Sequence, residues 1–174
     1  MRKLPRAEVL VPIAVALGAV VLAASEFMIA FAFTPPGGEA LREVSSADRH
    51  GYSLLLLAVF ALVALGFALV TGSKPAAYAV AGAGVVAMLL FLIVDLPDAG
   101  KLGDLEDPVR GFASARAEPQ AGFWLEALGA LTLGLGGIAF ASLSPEQMRG
   151  LPNRLRRRPK AEAGERTGPD PAGS

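Results

Sequence analysis

Four blocks of nearly unbroken apolar residues, 9–33, 52–71, 76–94 and 123–143, constrain this chain more than any other feature. A helix crosses a hydrocarbon core about 30 Å thick with roughly 20 mostly apolar residues, and each block falls in that range. Charged residues make up only 18% of the chain, against about a quarter in soluble domains, and the shortage is concentrated in the blocks. The expected fold is therefore all-α: an integral membrane four-helix transmembrane bundle over residues 9–143. A short N-terminal segment, 1–8, precedes it, and a tail, 144–174, comes after it.

The opening "MRKLPR" is basic, as a secretory signal begins, and Ala30-Phe31-Ala32 approximates a cleavage motif. A signal core is only about 7–15 residues long, whereas the first block runs for 25. The block is accordingly read as a retained signal anchor.

Charge sets the expected orientation. Eleven Lys and Arg residues fall before the first block, at Lys74 between the second and third, and after the fourth; five fall in the other two loops, at Arg42, Arg49, Lys101, Arg110 and Arg116. Positive charge in short flanks marks the cytoplasmic side. Both termini are then cytoplasmic, as an even number of spans requires.

The connections agree with this plan. "GSKP" is a tight turn between the second and third spans. The first outer loop, "TPPGGEALREVSSADRHG", opens with Pro and Gly breakers, and Ser46 is placed to cap the second span. The second, 95–122, is acidic and reads as a solvated connector. After Leu143, "SPEQ" has the form of a capping box, with Ser144 as N-cap and Gln147 at the third position, and Gly150 and Pro152 end that short helix. The tail then carries a basic cluster, Arg154, Arg156, Arg157, Arg158 and Lys160, and beyond it a polar, Pro- and Gly-rich stretch of disordered composition. Such a cluster next to a span attracts anionic lipid headgroups, at about 1 kcal/mol per residue near the surface.

In lipid, helices associate through small residues that let backbones approach. Ala130, Gly134, Gly137 and Ala141 form one such stripe, with Glu126 one turn from Ala130. Ala19, Ala23, Glu26 and Ala30 likewise share a face of the first span; Ala61, Ala64 and Ala68 mark the second span, and Ala79, Ala83 and Ala87 the third. Glu26 lies seven residues from Phe33, about 10 Å deep at the helical rise. An acid there must be protonated, paired or hydrated; a largely protonated Glu26, sharing its proton with Glu126, is the expectation. Arg49, His50 and Ser25 are the other candidate partners. Glu26, Glu126, Arg49 and His50 thus form a candidate intramembrane polar site, with Asp48 and Asp95 more simply explained as marking helix ends. Asp48 and His50 alone, two residues apart, do not define a metal geometry.

Several classes fall away. Cysteine is absent, which removes disulfides, thiol redox chemistry and thiolate metal sites. His50 is the only histidine, so one chain cannot hold a haem between two of them. No HExxH, Walker or GxSxG pattern occurs. No enzyme activity, cofactor, metal or nucleic-acid partner is expected. The span plan, the basic tail and "AGFWLEALGALTLGLGGIAF" resemble small, functionally uncharacterised four-span membrane proteins of high-GC bacteria; the resemblance implies a bacterial inner-membrane setting and carries over no functional residue. The leading functional expectation is a structural or accessory membrane subunit, working as a homo-oligomer or beside a membrane-complex partner. The alternative is a proton- or cation-coupled transporter or channel component using Glu26 and Glu126.

Overall fold

A computed structural model describes residues 7–107 and 111–149. In chain order the elements are α1 (Ala7–Ser25), β1 (Ile29–Thr34), β2 (Arg42–Ser45), α2 (Ser46–His50), α3 (Ser53–Thr71), α4 (Lys74–Leu90), β3 (Leu102–Asp107), β4 (Gly111–Pro119) and α5 (Ala121–Ser142). Four helical stretches are long and apolar enough to cross a membrane: Glu8–Ser25, Ser53–Thr71, Lys74–Asp98 and Ala121–Ser142. The last three agree with the sequence blocks to within a few residues. The first does not.

The 9–33 block splits at Ser25. Nineteen residues of α1 rise about 28 Å, already the thickness of a hydrocarbon core. A turn comes next, with Phe27 N–H on Ala24 O and Met28 N–H on Ser25 O, and then "IAFAFT" as a strand. That stretch alternates larger apolar side chains with alanine, the period of a strand rather than a helix. The expectation of an all-α chain is corrected accordingly. A four-stranded antiparallel sheet, ordered β2-β1-β4-β3, covers one end of the bundle.

The acidic second loop, read as a solvated connector, is half of that sheet. β4 pairs with β3 along its length and with β1 from Phe31↔Pro119 to Thr34↔Arg116. Ala115 and Ala117 are buried while Ser114, Arg116 and Glu118 are exposed. Alanine is a poor strand former, so the alternation is easy to overlook. Between sheet and bundle lies a small aromatic core: Phe123 stands 5.4 Å from Phe31 and 5.0 Å from Phe91, centroid to centroid.

Within the bundle, α5 packs against α1 and α4, and α3 packs against the same two helices. Alanine and glycine supply many of the helix contacts, with a few large residues such as Leu22, Leu54, Leu133 and Phe140 among them, and most other large apolar side chains face outward. On α3, Ala58, Ala61, Ala64 and Ala68 are buried, whereas Leu56, Val63, Phe67 and Val70 are more than half exposed. The α5 stripe Ala130, Gly134, Gly137 and Ala141 is buried as expected. Backbones touch where it meets its neighbours: a Cβ added at Gly84 would lie 2.5 Å from Gly134 Cα, and one added at Gly129 would lie 2.6 Å from Leu22 N.

Three local devices set up the polar end. Ser45, rather than Ser46, is an N-cap, and the helix it caps is the short α2: Asp48 N–H donates to Ser45 Oγ, and Ser45 N–H to Asp48 Oδ2. Gly51 and Tyr52 then adopt left-handed backbone, at φ 57° and 66°, a conformation costly for tyrosine; it turns the chain sharply from α2 into α3. Finally, α4 does not stop at Leu90. It continues through a π-helical turn, Phe91–Asp95, and a 3-10 turn, Leu96–Asp98. The wider π turn brings Asp95 round to the buried side.

At the opposite end, the capping box after α5 is present: Ser144 N–H donates to Gln147 Oε1, and Gln147 N–H to Ser144 Oγ. Residues 145–149 are helical. Gly150, Pro152, the basic cluster and the disorder expected of the tail lie outside the described residues.

Candidate functional site

Glu26 is the first residue past α1 and is fully buried. Its Oε1 accepts from Leu54 N–H at 2.8 Å and from Leu55 N–H at 3.4 Å. These are the second and third residues of α3, whose own N-cap, Tyr52, contributes no side-chain cap. The first amides of a helix have no partner within it and carry partial positive charge. A carboxylate delivered from the end of α1 satisfies both needs. Here is the partner that the apolar run conceals: a helix terminus, not another side chain.

Glu126 lies on α5 and is 1% exposed. Beside it are His50, from α2, and Asp95, from the π turn. His50 Nε2 stands 3.0 Å from Asp95 Oδ2 and 3.7 Å from Glu126 Oε2. Asp95 Oδ1 is held separately: Arg49 Nε donates to it at 2.9 Å. Another Arg49 nitrogen donates to Asp98 Oδ2 at 2.7 Å, and the guanidinium lies 4.9 Å above the Phe31 ring. Burial alone would lower the pKa of Arg49, but the bonds to Asp98 and Asp95 outweigh it and hold the pKa above the usual arginine value. Lys101 donates to the other oxygen of Asp98. A cleft of about 260 Å³ opens beside Arg49, Asp98 and Lys101 under the sheet.

All four residues singled out from the sequence, Glu26, Glu126, Arg49 and His50, meet at this end. Their pairing differs from the expected one. Arg49 serves Asp95 and Asp98 rather than Glu26, and Asp48 belongs to the α2 cap. Asp95 is the member that sequence reasoning grouped with this end but set aside as a helix-end marker. At the close of an apolar block and just before "LPDAG", it reads as a helix exit, and only the π turn points it inward. The lipid-contact cluster Arg154, Arg156, Arg157, Arg158 and Lys160 lies outside the described residues.

Six buried side-chain atoms among the described residues have no hydrogen-bond partner: Glu26 Oε2, Ser46 Oγ, His50 Nε2, Asp95 Oδ2, and both oxygens of Glu126. Buried polar atoms are normally paired, because each one stranded costs about 1–3 kcal/mol. Here all six belong to one end of one bundle. Comparison with family models, with curated proteins and with solved structures returns no match, so the site must be read from its own chemistry.

Proposed function

We propose that the protein is a multi-pass inner-membrane protein with both termini cytoplasmic, acting as a structural or accessory subunit that presents its sheet on the outer side. The observation that carries this reading is the packing, with alanine and glycine at many of the helix contacts and a broad outer surface of exposed leucine, valine and phenylalanine. In hydrocarbon nothing drives large apolar side chains inward, and small ones permit close backbone contact. The polar end supports it as well, because its buried acids sit where the helices leave the apolar region. The partner is a second copy or another membrane subunit.

A proton- or cation-coupled carrier using Glu26 and Glu126 is the second reading, favoured by the unpaired atoms. Against a path through one chain, Ala130 lies one turn below Glu126, in a buried apolar cluster with Leu22, Leu54 and Leu133. A route across the membrane would have to run between chains. The basic cluster Arg154, Arg156, Arg157, Arg158 and Lys160 anchors the tail to anionic headgroups; a peptide of residues 144–160 should then bind acidic vesicles and release as salt rises.

Orientation is tested by single cysteines in a chain that has none of its own. Gly38→Cys and Gly103→Cys should react with an impermeant thiol reagent in intact cells, and Glu146→Cys and Ala163→Cys only after lysis. The reverse pattern overturns the orientation, and a mixed one overturns the four-span plan. Copurification bears on the two roles. A hetero-complex supports the accessory subunit, and a pure homo-oligomer fits both readings and keeps the carrier open.

A further inference from the structure

We propose that His50, Asp95 and Glu126 form a binding site for a divalent transition-metal ion, of the zinc or manganese class, buried at the sheet-covered end of the bundle. This goes beyond the accessory role and does not depend on which way the chain faces in the membrane.

The first support is convergence. One donor atom from each residue lies within 4.8 Å of the other two, and His50 Nε2 lies 3.0 Å from Asp95 Oδ2 and 3.7 Å from Glu126 Oε2. Around a four-coordinate ion, bonds of about 2.0–2.2 Å set neighbouring ligand atoms about 3.4 Å apart. The two measured edges bracket that value. His50 and Asp95 also stand at ion-pair distance from each other, but both oxygens of Glu126 are buried with no hydrogen-bond partner meeting donor–acceptor geometry. A cation among these atoms would give the Glu126 oxygens the partner they lack.

The second support is the layer behind the donors. Arg49 Nε holds Asp95 Oδ1, which turns Oδ2 towards the centre and fixes the carboxylate plane. Ligands of bound metals are regularly oriented by such outer partners. Arg49 is itself anchored on Asp98 and over Phe31, so the π turn, α2 and the sheet position this one oxygen together.

Charge and donor type make the third. Three buried acids, Glu26, Asp95 and Glu126, stand here beside one partly buried arginine, Arg49, a setting that favours a cation. Imidazole with two carboxylates suits zinc, manganese or ferrous iron, whereas calcium and magnesium take oxygen ligands. Three protein ligands leave a position open for water or another ligand, as functional sites do and closed structural zinc sites do not.

The test uses the full-length chain in detergent, stripped with a chelator and titrated with Zn²⁺ by calorimetry, then with Co²⁺ by visible absorption. Binding should saturate at one ion per chain, and Co²⁺ should give the ligand-field bands of a low-coordinate nitrogen–oxygen site. His50→Gln and Glu126→Gln, near-isosteric changes, should each weaken binding at least tenfold, while Asp104→Asn on the sheet should leave it unchanged. Helical circular dichroism and elution volume establish that each variant is folded. Should one not fold, Glu126→Asp, which withdraws the carboxylate by one methylene, gives the same readout. The proposal is overturned if the wild-type chain shows no saturable binding of one ion. It is equally overturned if binding survives both His50→Gln and Glu126→Gln, which would place the ion on exposed acids.

Discussion

The two ends of the bundle handle charge in opposite ways. At the end away from the sheet, cations meet helix C-termini: Lys74 Nζ donates to Ala141 O and Leu143 O after α5, and Arg149 Nε donates to Thr71 O at the close of α3. The helix dipole favours this arrangement, the groups are partly or fully exposed, and none of the unpaired buried atoms lies there. Under the sheet three acids, Glu26, Asp95 and Glu126, are buried, with Arg49 beside them. One of them, Glu26, does for the start of α3 what Lys74 does for the end of α5. The others cap nothing. Glu126 is the sixth residue of α5, beyond the first turn where the dipole would stabilise it, and Asp95 shows one oxygen to Arg49 and the other to His50. A chain that can close helix ends economically at one end, yet buries uncapped acids at the other, keeps the second end for something other than closure.

The largest expected effect that tests this contrast is at Arg49. Removing one member of a buried charge group leaves the rest uncompensated, at about 3–5 kcal/mol. Arg49→Met should therefore lower thermal stability in detergent sharply, and a loss no larger than a typical surface change would show that Asp95 and Asp98 need no cation. The cap at Glu26 comes next. Glu26→Ala strands the amides of Leu54 and Leu55 and should cost about 1–3 kcal/mol, whereas Glu26→Gln keeps an acceptor oxygen and should cost much less. Equal losses from the two would mean that Glu26 acts through its charge alone.

At the other end, Lys74→Met removes two hydrogen bonds to terminal carbonyls, with an expected loss of about 1–2 kcal/mol. Should it match Arg49→Met in a melting experiment, the distinction between the two ends would collapse. The smallest effect sharpens the comparison most. Glu126→Gln, measured on chelator-treated protein, should leave stability unchanged or raise it, because replacing a buried charge that has no partner removes a penalty rather than a contact. A clear loss would identify Glu126 as a structural member of the fold.

Much of the site is legible in the sequence. Glu26, Glu126, Arg49 and His50 can be brought to one end by counting residues from the span boundaries, because alternate spans reverse direction. Their partners cannot. The amides of Leu54 and Leu55 leave no trace in residue type, and Ser45 is hidden beside Ser46, with the same side chain one position on. Asp95 needs the π turn, a single extra residue in the winding that rotates everything after it, and no local preference in "FLIVDLPD" announces it.

What the sequence determined alone is the number of apolar helices, their approximate limits and the small-residue faces on which they meet. Those depend on transfer between water and hydrocarbon and on side-chain size, which each segment carries within itself. What only the tertiary structure decided is where the first apolar block stops being a helix. Residues 26–33 are apolar enough to continue α1, and they leave it because β2 and, far along the chain, β4 offer β1 backbone hydrogen bonds on its two edges. Strand pairing is a contract between distant segments, and it was this contract that set Glu26 free of α1, laid the sheet over the bundle end and closed His50, Asp95 and Glu126 beneath it.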